Sequence, residues 1–208
     1  MISEKQIEAA RNIYKDLKKW NLANNTISSF FSNNPKNKKL DIILIKVLLI
    51  DSLYKTNLKD QISVAEHIYK ISSLDDELKR KNLEIVDKVA KWNNTLQNKT
   101  INLLSFASKF CYFHDKKTYP LYDKYVVIAL KKFLPDWKDE RNFLNFLDAI
   151  TQLCRENKIE RISFEDLDKF LWLYGLLLRL KENKTDINRE IYEYYKSHGE
   201  LFAKLEEE

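Results

Sequence analysis

The chain has 208 residues, of which 44% are hydrophobic and 32% are charged, and its formal net charge is +5. It contains only two glycines and three prolines. So few chain-breaking residues argue against a β-rich fold with many tight turns and favour helices joined by short polar loops. The positive charge is compatible with a nucleic-acid partner and does not by itself require one.

The cysteine usage and the apolar runs predict a cytoplasmic protein without membrane contact. Cys111 and Cys154 lie in apolar helical segments, which favours buried thiols over a disulfide framework. The first residues show no apolar secretory core, and no apolar run approaches the ~20 residues that span a bilayer. A monomer is expected, although the sequence does not determine the oligomeric state.

The apolar spacing is helical throughout and predicts an all-α fold of about nine to eleven helices. Two lobes are possible, at residues 1–93 and 94–200, with a frayed tail at 201–208. The first helix is expected over residues 3–20, with Ser3 and Gln6 as a capping box. Residues 38–54 are apolar around most of the helix and predict a buried central element. Further helices are expected at 61–71, 74–92, 100–114, 119–134, 139–157, 163–181 and 186–195. Ser163, with Asp166 three residues later, is expected to cap the helix at 163–181.

The helix expected at residues 100–114 carries a narrow polar stripe on an otherwise apolar surface. The stripe contains Asn102, Ser105, Lys109 and Tyr112, which share one helix face. Such a stripe faces solvent, a cleft or a polar partner. The alternative is that it forms only the exposed edge of a packed helix.

No common catalytic or metal-binding signature occurs in the chain. The three histidines are scattered in sequence, and there are no paired cysteines, no phosphate loop and no nucleophile elbow. The sequence therefore predicts no metal site and no cofactor. Asp123 attracts interest because it opens a helix among apolar neighbours, although an acid in a first helical turn is also common.

Three stretches resemble the helix-hairpin-helix-GPD DNA glycosylases, most closely their archaeal 8-oxoguanine branch. Residues 99–110 resemble the Lys-Thr pair that ends the family's hairpin and the apolar helix that follows it. Residues 119–126, which begin Tyr-Pro-Leu-Tyr-Asp, resemble the Pro-Val-Asp element that opens the next helix. Residues 53–56 lie where the family has a Gln-Thr-like turn between two helices. The resemblance covers roughly residues 38 to 134.

The resemblance implies a helix-hairpin-helix glycosylase-like fold, duplex DNA as the partner, and base excision by cleavage of the N-glycosidic bond of a modified or damaged base. Asp123 would stabilise the positive charge that develops on the sugar. Some members of the family use a lysine that attacks the sugar and forms a Schiff base. By the resemblance, Lys99 or Lys109 would be that lysine here. The residues expected in the base pocket are Asn102, Ser105, Tyr112, Tyr119 and Tyr122. The residues expected to contact the DNA backbone are Lys116, Lys117 and Lys124.

The chain departs from the family pattern in three places. The hairpin at residues 96–100 contains no glycine, and glycine lets such a hairpin present its amides closely to phosphate. The position of the lysine nucleophile is ambiguous. The Pro-Val-Asp element has become Pro-Leu-Tyr-Asp, which is one residue longer.

These departures leave open three functions for the chain. It could be an active glycosylase, or a non-enzymatic helical module that binds DNA or a protein and has lost the chemistry. A helical toxin or phage-defence component is the third alternative. The lysine turn could also be merely solvated, and the tyrosines could be core residues.

Overall fold

The computed structural model describes residues 1–94, 99–182, 187 and 189–207, and it is predominantly helical, which confirms the all-α fold class. The described residues contain twelve helices, one more than the expected range, and one pair of short strands. The helices are α1 Glu4–Asp16, α2 Lys18–Asn33, α3 Leu40–Tyr54, α4 Gln61–Tyr69, α5 Leu74–Lys79, α6 Glu84–Ala90, α7 Leu104–Tyr112, α8 Lys124–Phe133, α9 Phe143–Asn157, α10 Phe164–Lys181, α11 Arg189–Ser197 and α12 Gly199–Ala203. The strands are β1 Lys91–Asn94 and β2 Lys99–Asn102.

The chain divides into two compact units, whose ranges interleave along the sequence. Unit 1 comprises residues 1–22, 123–139 and 147–208, and unit 2 comprises residues 23–122 and 140–146. The expected lobes at 1–93 and 94–200 follow the chain continuously, whereas each unit gathers separate segments. Packing of apolar helix faces from distant parts of the sequence therefore defines the units.

Unit 1 is built around α10, which packs against α1 and α8. The α10 helix begins at a Ser163 cap, whose hydroxyl accepts a hydrogen bond from the Asp166 amide, as its sequence predicts. Trp172 on this helix meets the edges of the Tyr14 and Trp20 rings, with centroid distances of 6.1 and 5.1 Å. The long apolar stretch of α10 is thus a core element of this unit.

The N-terminal segment and the tail pack together within unit 1. Ser3 and Gln6 form the predicted capping box of α1. The Gln6 side chain also donates a hydrogen bond to the carbonyl of Leu205 at 2.9 Å. Phe202 and Leu205 are fully buried, so the expectation of a frayed tail from residue 201 is wrong. Two apolar side chains and the Gln6 hydrogen bond hold this short segment in place.

Unit 2 is built from α3 to α7, with α3 packed against α4 and α7, and α6 packed against α7. The α3 helix buries one face only, through Ile43, Val47 and Ile50, while Ile45 is 40% and Leu48 46% exposed. A helix buried around most of its circumference was expected here. The apolar composition of α3 overstated its burial because composition does not reveal how many neighbours surround a helix.

The predicted helix over residues 100–114 is shorter than expected, because β1 and β2 form an antiparallel pair before it. Lys91 pairs with Asn102, and Asn94 pairs with Lys99. The buried Trp92 donates its indole N–H to the Ser63 hydroxyl at 3.1 Å. Residues 96–98 of the expected DNA-binding hairpin lie outside the described residues.

The two cysteines are free and buried, as expected. No helix in the described ranges is both long and apolar enough to cross a membrane.

Gly175 permits the close packing of α8 on α10 in unit 1. A Cβ atom at this position would overlap the carbonyl oxygen of Tyr125 and lie 2.7 Å from its carbonyl carbon. We expect Gly175→Ala to lower the free energy of unfolding by about 3 kcal/mol, because backbone atoms cannot move aside as a side chain can. Urea unfolding measures this change.

Gly199→Ala is the matched control, since a Cβ there would meet nothing within 4 Å. It should leave stability unchanged or slightly raised, because alanine favours a helix over glycine. Equal unfolding midpoints for both variants would contradict the close packing at Gly175.

Candidate functional site

Asp123 is the N-cap residue of α8 rather than a member of its first turn. Its carboxylate accepts a hydrogen bond from the Tyr125 amide at 2.9 Å. Aspartate is among the preferred residues at this position, because it satisfies an amide that the helix leaves unpaired. Asp123 is partly buried, and the neighbouring Lys124 is exposed and lies over the Tyr125 ring at 4.8 Å. Both residues belong to unit 1.

Lys109 is buried in unit 2, with 1% of its surface exposed. Its ammonium donates hydrogen bonds to the Ser105 carbonyl at 3.2 Å, the Ser105 hydroxyl at 3.0 Å and the Tyr122 carbonyl at 3.1 Å. An ammonium has three protons, and these three oxygens are enough to accept them all. Lys109 therefore ties the segment before α8 to α7. Lys99, the other candidate nucleophile, is exposed on β2.

The three tyrosines expected in a base pocket lie in the core of unit 2. Tyr119 is fully buried and donates its hydroxyl to the Asn82 carbonyl at 3.2 Å. Tyr122 packs edge-on against Phe146 at 5.2 Å. Tyr112 is 3% exposed. Rings that are enclosed in this way are not available to stack on an extruded base.

The two remaining pocket candidates have local structural partners. The Asn102 side chain donates to the Arg141 carbonyl at 2.7 Å and accepts from the Leu104 amide at 3.1 Å. Ser105 is partly buried and accepts from Lys109. The polar stripe thus meets polar partners at Ser105 and Lys109, which is one of the alternatives that its sequence left open.

A second polar cluster in unit 2, centred on Asn37, was not singled out from the sequence. Asn37 is 7% exposed. Its backbone amide and its side-chain amide both donate to the Asp75 carboxylate, at 3.0 and 2.8 Å to Oδ1. Its Oδ1 accepts from the Lys46 ammonium at 2.8 Å, and its Nδ2 lies 3.2 Å from His114 Nε2. We call Asn37, Lys46, Asp75 and His114 the Asn37 network.

Lys46 is the fully buried member of the Asn37 network. Its side chain has no exposed surface, and its ammonium lies 4.8 Å from the centroid of the Phe31 ring. Burial lowers the pKa of Lys46 to about 8, although the nearby Asp75 carboxylate acts in the opposite direction. A lysine with this pKa is still mostly protonated at neutral pH, so the unit holds a buried positive charge.

His114 lies between aromatic rings at the edge of the network. The centroids of Phe31 and Phe110 are 5.0 and 5.2 Å from that of its imidazole. Burial, together with the positive charge of Lys46, lowers the pKa of His114 to about 3. The imidazole is therefore neutral at physiological pH.

The Asn37 network forms part of the wall of an open cleft of about 370 Å³. Its lining residues come from the loop before α3, from α5 and the turn after it, and from the turn after α7. They are Pro35, Lys36, Asp75, Leu78, Lys79, Lys81, His114 and Asp115. The Asn37 hydrogen bonds are the contacts that join the first of these segments to the other two.

Three basic segments meet around this cleft. They supply eight cationic side chains and one aspartate, Asp115, in a chain whose net charge is only +5. We call the cationic set the basic rim. Three of its members line the cleft, namely Lys36, Lys79 and Lys81. The other five lie on the same three segments and are Lys38, Lys39, Arg80, Lys116 and Lys117. Lys81 lies 3.7 Å from Asp115, and it is the one rim member paired with a carboxylate within the described part of the chain.

The rim residue Lys116 lies above two aromatic rings. Its ammonium is 5.4 Å from the Tyr112 centroid and 5.9 Å from that of Phe113, so the rings restrain the Lys116 side chain. Every other rim residue is exposed. The lysine turn at 115–117, predicted to contact phosphate, is therefore one third of a larger basic surface.

The sequence contained a signal for this surface, although it lay in separate places. The runs Lys-Asn-Lys-Lys at 36–39 and Lys-Arg-Lys at 79–81 are more basic than the turn at 115–117, which contains an aspartate. These segments are far apart in the sequence, so the sequence did not indicate that they lie close together in the fold. The remaining signals were Asn37, a polar residue two positions after a proline, and a lone lysine inside the apolar α3.

A family model described as the HI_0787_N N-terminal domain matches residues 5–118, which is more than half of the chain. The chain belongs to this family. A protein of Haemophilus influenzae described as uncharacterized is 29% identical over 143 residues, which cover 65% of this chain and 67% of that protein. No solved structure matches the chain. The Asn37 network and the basic rim lie within the matched residues, whereas Asp123 lies outside them.

No group of histidine, cysteine and acidic side chains that could hold a metal ion occurs among the residues that the structure describes.

The depressed pKa of Lys46 predicts a specific dependence of stability on pH. Its folded-state pKa of about 8 lies below the ordinary lysine pKa of 10.5, so between these values the unfolded chain binds more protons and stability rises with pH. Relative to Lys46→Met, the wild-type protein should gain about 2 kcal/mol between pH 7 and pH 9.5. Urea unfolding of both proteins at the two pH values measures this difference.

Lys36→Met is the matched control, because Lys36 is exposed. Its stability relative to wild type should not change over the same pH range. A constant gap for Lys46→Met as well would show that Lys46 does not titrate with a depressed pKa.

Proposed function

We propose that this protein binds duplex DNA through the basic rim, as a non-enzymatic relative of the helix-hairpin-helix glycosylases. The observation that carries the proposal is the meeting of three basic segments around one cleft in unit 2. Clustered lysine and arginine side chains neutralise phosphates and release counterions, which supplies most of the affinity of backbone binding.

The rim has the chemistry of a backbone contact rather than that of base recognition. Seven of its eight members are lysines, which act as flexible point charges toward phosphate. Binding should therefore depend steeply on salt and little on sequence.

The positions of the expected catalytic residues favour binding without chemistry. Lys109 donates to three oxygens, and the Tyr119 and Tyr122 rings are buried. Asp123 caps a helix. Each of these residues thus has a structural role that does not require catalysis.

Removal of two charges from any one rim segment should weaken DNA binding. Each double alanine variant should lower the affinity for all duplex sequences alike and make the salt slope shallower by roughly one unit per lost phosphate contact. Fluorescence anisotropy over a salt series measures both quantities. The three pairs are Lys38 and Lys39, Lys79 and Arg80, and Lys116 and Lys117.

The matched control is the exposed pair Lys131 and Lys132 near the end of α8. Its double alanine variant carries the same change of charge outside the rim and should keep the wild-type slope. Equal losses for this control and for the rim variants would indicate an effect of net charge alone. A loss from one rim segment only would contradict a shared binding surface.

A second candidate function is base excision with Asp123 as the catalytic carboxylate. It is favoured by the partial exposure of Asp123 at the start of α8, the position that the resemblance implies. Asp123→Asn should preserve the fold, because asparagine caps a helix about as well as aspartate. It should lower the rate of base release on the order of a hundredfold or more, because the charge that stabilises the sugar cation is lost.

The assay is alkali-labile site formation in duplexes that carry a panel of damaged or modified bases. Equal release by the wild type and by Asp123→Asn would remove Asp123 from the chemistry. Tight duplex binding without release of any base by the wild type would leave the non-enzymatic proposal as the better one.

A further inference from the structure

His114 lines the cleft, and the Asn37 network identifies which of its ring nitrogens carries the proton. Lys46 can only donate, so the atom of Asn37 that it contacts is the amide oxygen. The Asp75 carboxylate accepts from the other atom, which is therefore the amide nitrogen. Two neighbours of opposite character thus fix the orientation of the Asn37 amide.

This orientation determines the tautomer of His114. Asn37 Nδ2 is a donor, so His114 Nε2, 3.2 Å away, must accept from it. The imidazole is neutral because burial and Lys46 hold its pKa near 3, and its proton therefore lies on Nδ1. Within the described residues, Nδ1 makes no hydrogen bond to the protein. His114 is among the residues that line the cleft, and Nδ1–H is its one side-chain donor.

The remaining lining divides into an apolar wall, two acids and the cationic rim. Pro35 and Leu78 give the cleft an apolar surface. Both oxygens of Asp115 accept hydrogen bonds, from the Lys117 amide and the Thr118 hydroxyl, and Asp75 is held by Asn37. These carboxylates disfavour a phosphate inside the cleft, whereas the lysines favour phosphates at its mouth.

We propose that the cleft receives the unpaired nucleotide at a single-stranded DNA end, with its base against Pro35 and Leu78 and its flanking phosphates on the basic rim. This proposal rests on the DNA binding proposed above and adds a preferred substrate. The cleft volume of about 370 Å³ lies at the small end of ligand pockets, which suits one nucleotide and excludes a duplex. An end nucleotide also enters without breaking a base pair, and this lowers the cost of unstacking.

The test compares three DNA probes that carry the same number of phosphates: a blunt duplex, a duplex with a two-nucleotide overhang, and a duplex with an internal two-nucleotide bulge. The wild-type protein should bind the overhang about tenfold more tightly than the blunt duplex, which corresponds to about one hydrogen bond and one buried apolar face. Fluorescence anisotropy at a single salt concentration gives the three affinities.

Two variants test the cleft itself. His114→Phe keeps a ring between Phe31 and Phe110 and removes the Nδ1 donor together with the Nε2 atom that accepts from Asn37. Pro35→Trp fills the cleft from an exposed position and removes no member of the Asn37 network. Both should abolish the preference for the overhang, and Pro35→Trp should also leave the affinity for the blunt duplex within about twofold of wild type. Pro135→Trp, at an exposed proline that is not part of the lining, is the control and should retain the preference.

The outcomes separate this inference from the function on which it rests. Equal wild-type affinity for blunt and overhang probes would overturn the end-binding role and leave duplex binding intact. Equal preference for the bulge and the overhang would overturn the assignment to a strand end. Failure to bind any of the three probes would overturn both proposals. Retention of the preference in both His114→Phe and Pro35→Trp would exclude the cleft as the site.

Discussion

The buried ammonium of Lys46 constrains the rest of unit 2. A charge without exposed surface is tolerated only where polar groups replace water, and here the Asn37 side chain provides the oxygen. Asn37 is itself held in position, because the Asp75 carboxylate accepts hydrogen bonds from both its backbone amide and its side-chain amide. These hydrogen bonds connect the loop before α3 to α5 and to the turn after α7. The same three segments carry the lining of the cleft and the basic rim, so the network holds both in place.

In unit 2, residues that a resemblance to DNA glycosylases would place in a catalytic site have structural roles. Lys109 and Tyr119 lie where a resemblance to DNA glycosylases implies a nucleophile and a base pocket, yet each is buried and hydrogen-bonded to backbone carbonyls. A buried lysine or tyrosine needs such partners to offset the loss of water. The exposed cations, by contrast, have few carboxylate partners within the described residues. The buried residues of unit 2 that have reactive side chains thus have structural partners, whereas most of the rim cations lie exposed at the surface.

Local structure was predictable where its cause is local. The Ser3 capping box and the Ser163 cap depend on side chains three residues apart, and the structure confirms both. The helical class likewise follows from apolar spacing and from the scarcity of glycine and proline. Predictions were wrong where burial depends on distant neighbours. The tail from residue 201 was expected to fray, yet Phe202 is fully buried. Ile45 and Leu48 were expected to be buried, yet α3 leaves that face exposed.

The sequence by itself determined the helical fold class, the absence of a disulfide framework, the helix caps and the basic character of the turn at 115–117. Each of these is a property of one short segment and its nearest neighbours. Only the tertiary structure decided that the basic runs at 36–39 and 79–81 join that turn around a cleft. It also decided that Lys46 and His114 share one hydrogen-bonded network. These groups are far apart in the chain, and burial of helix faces brings them together without leaving a periodic pattern in the sequence.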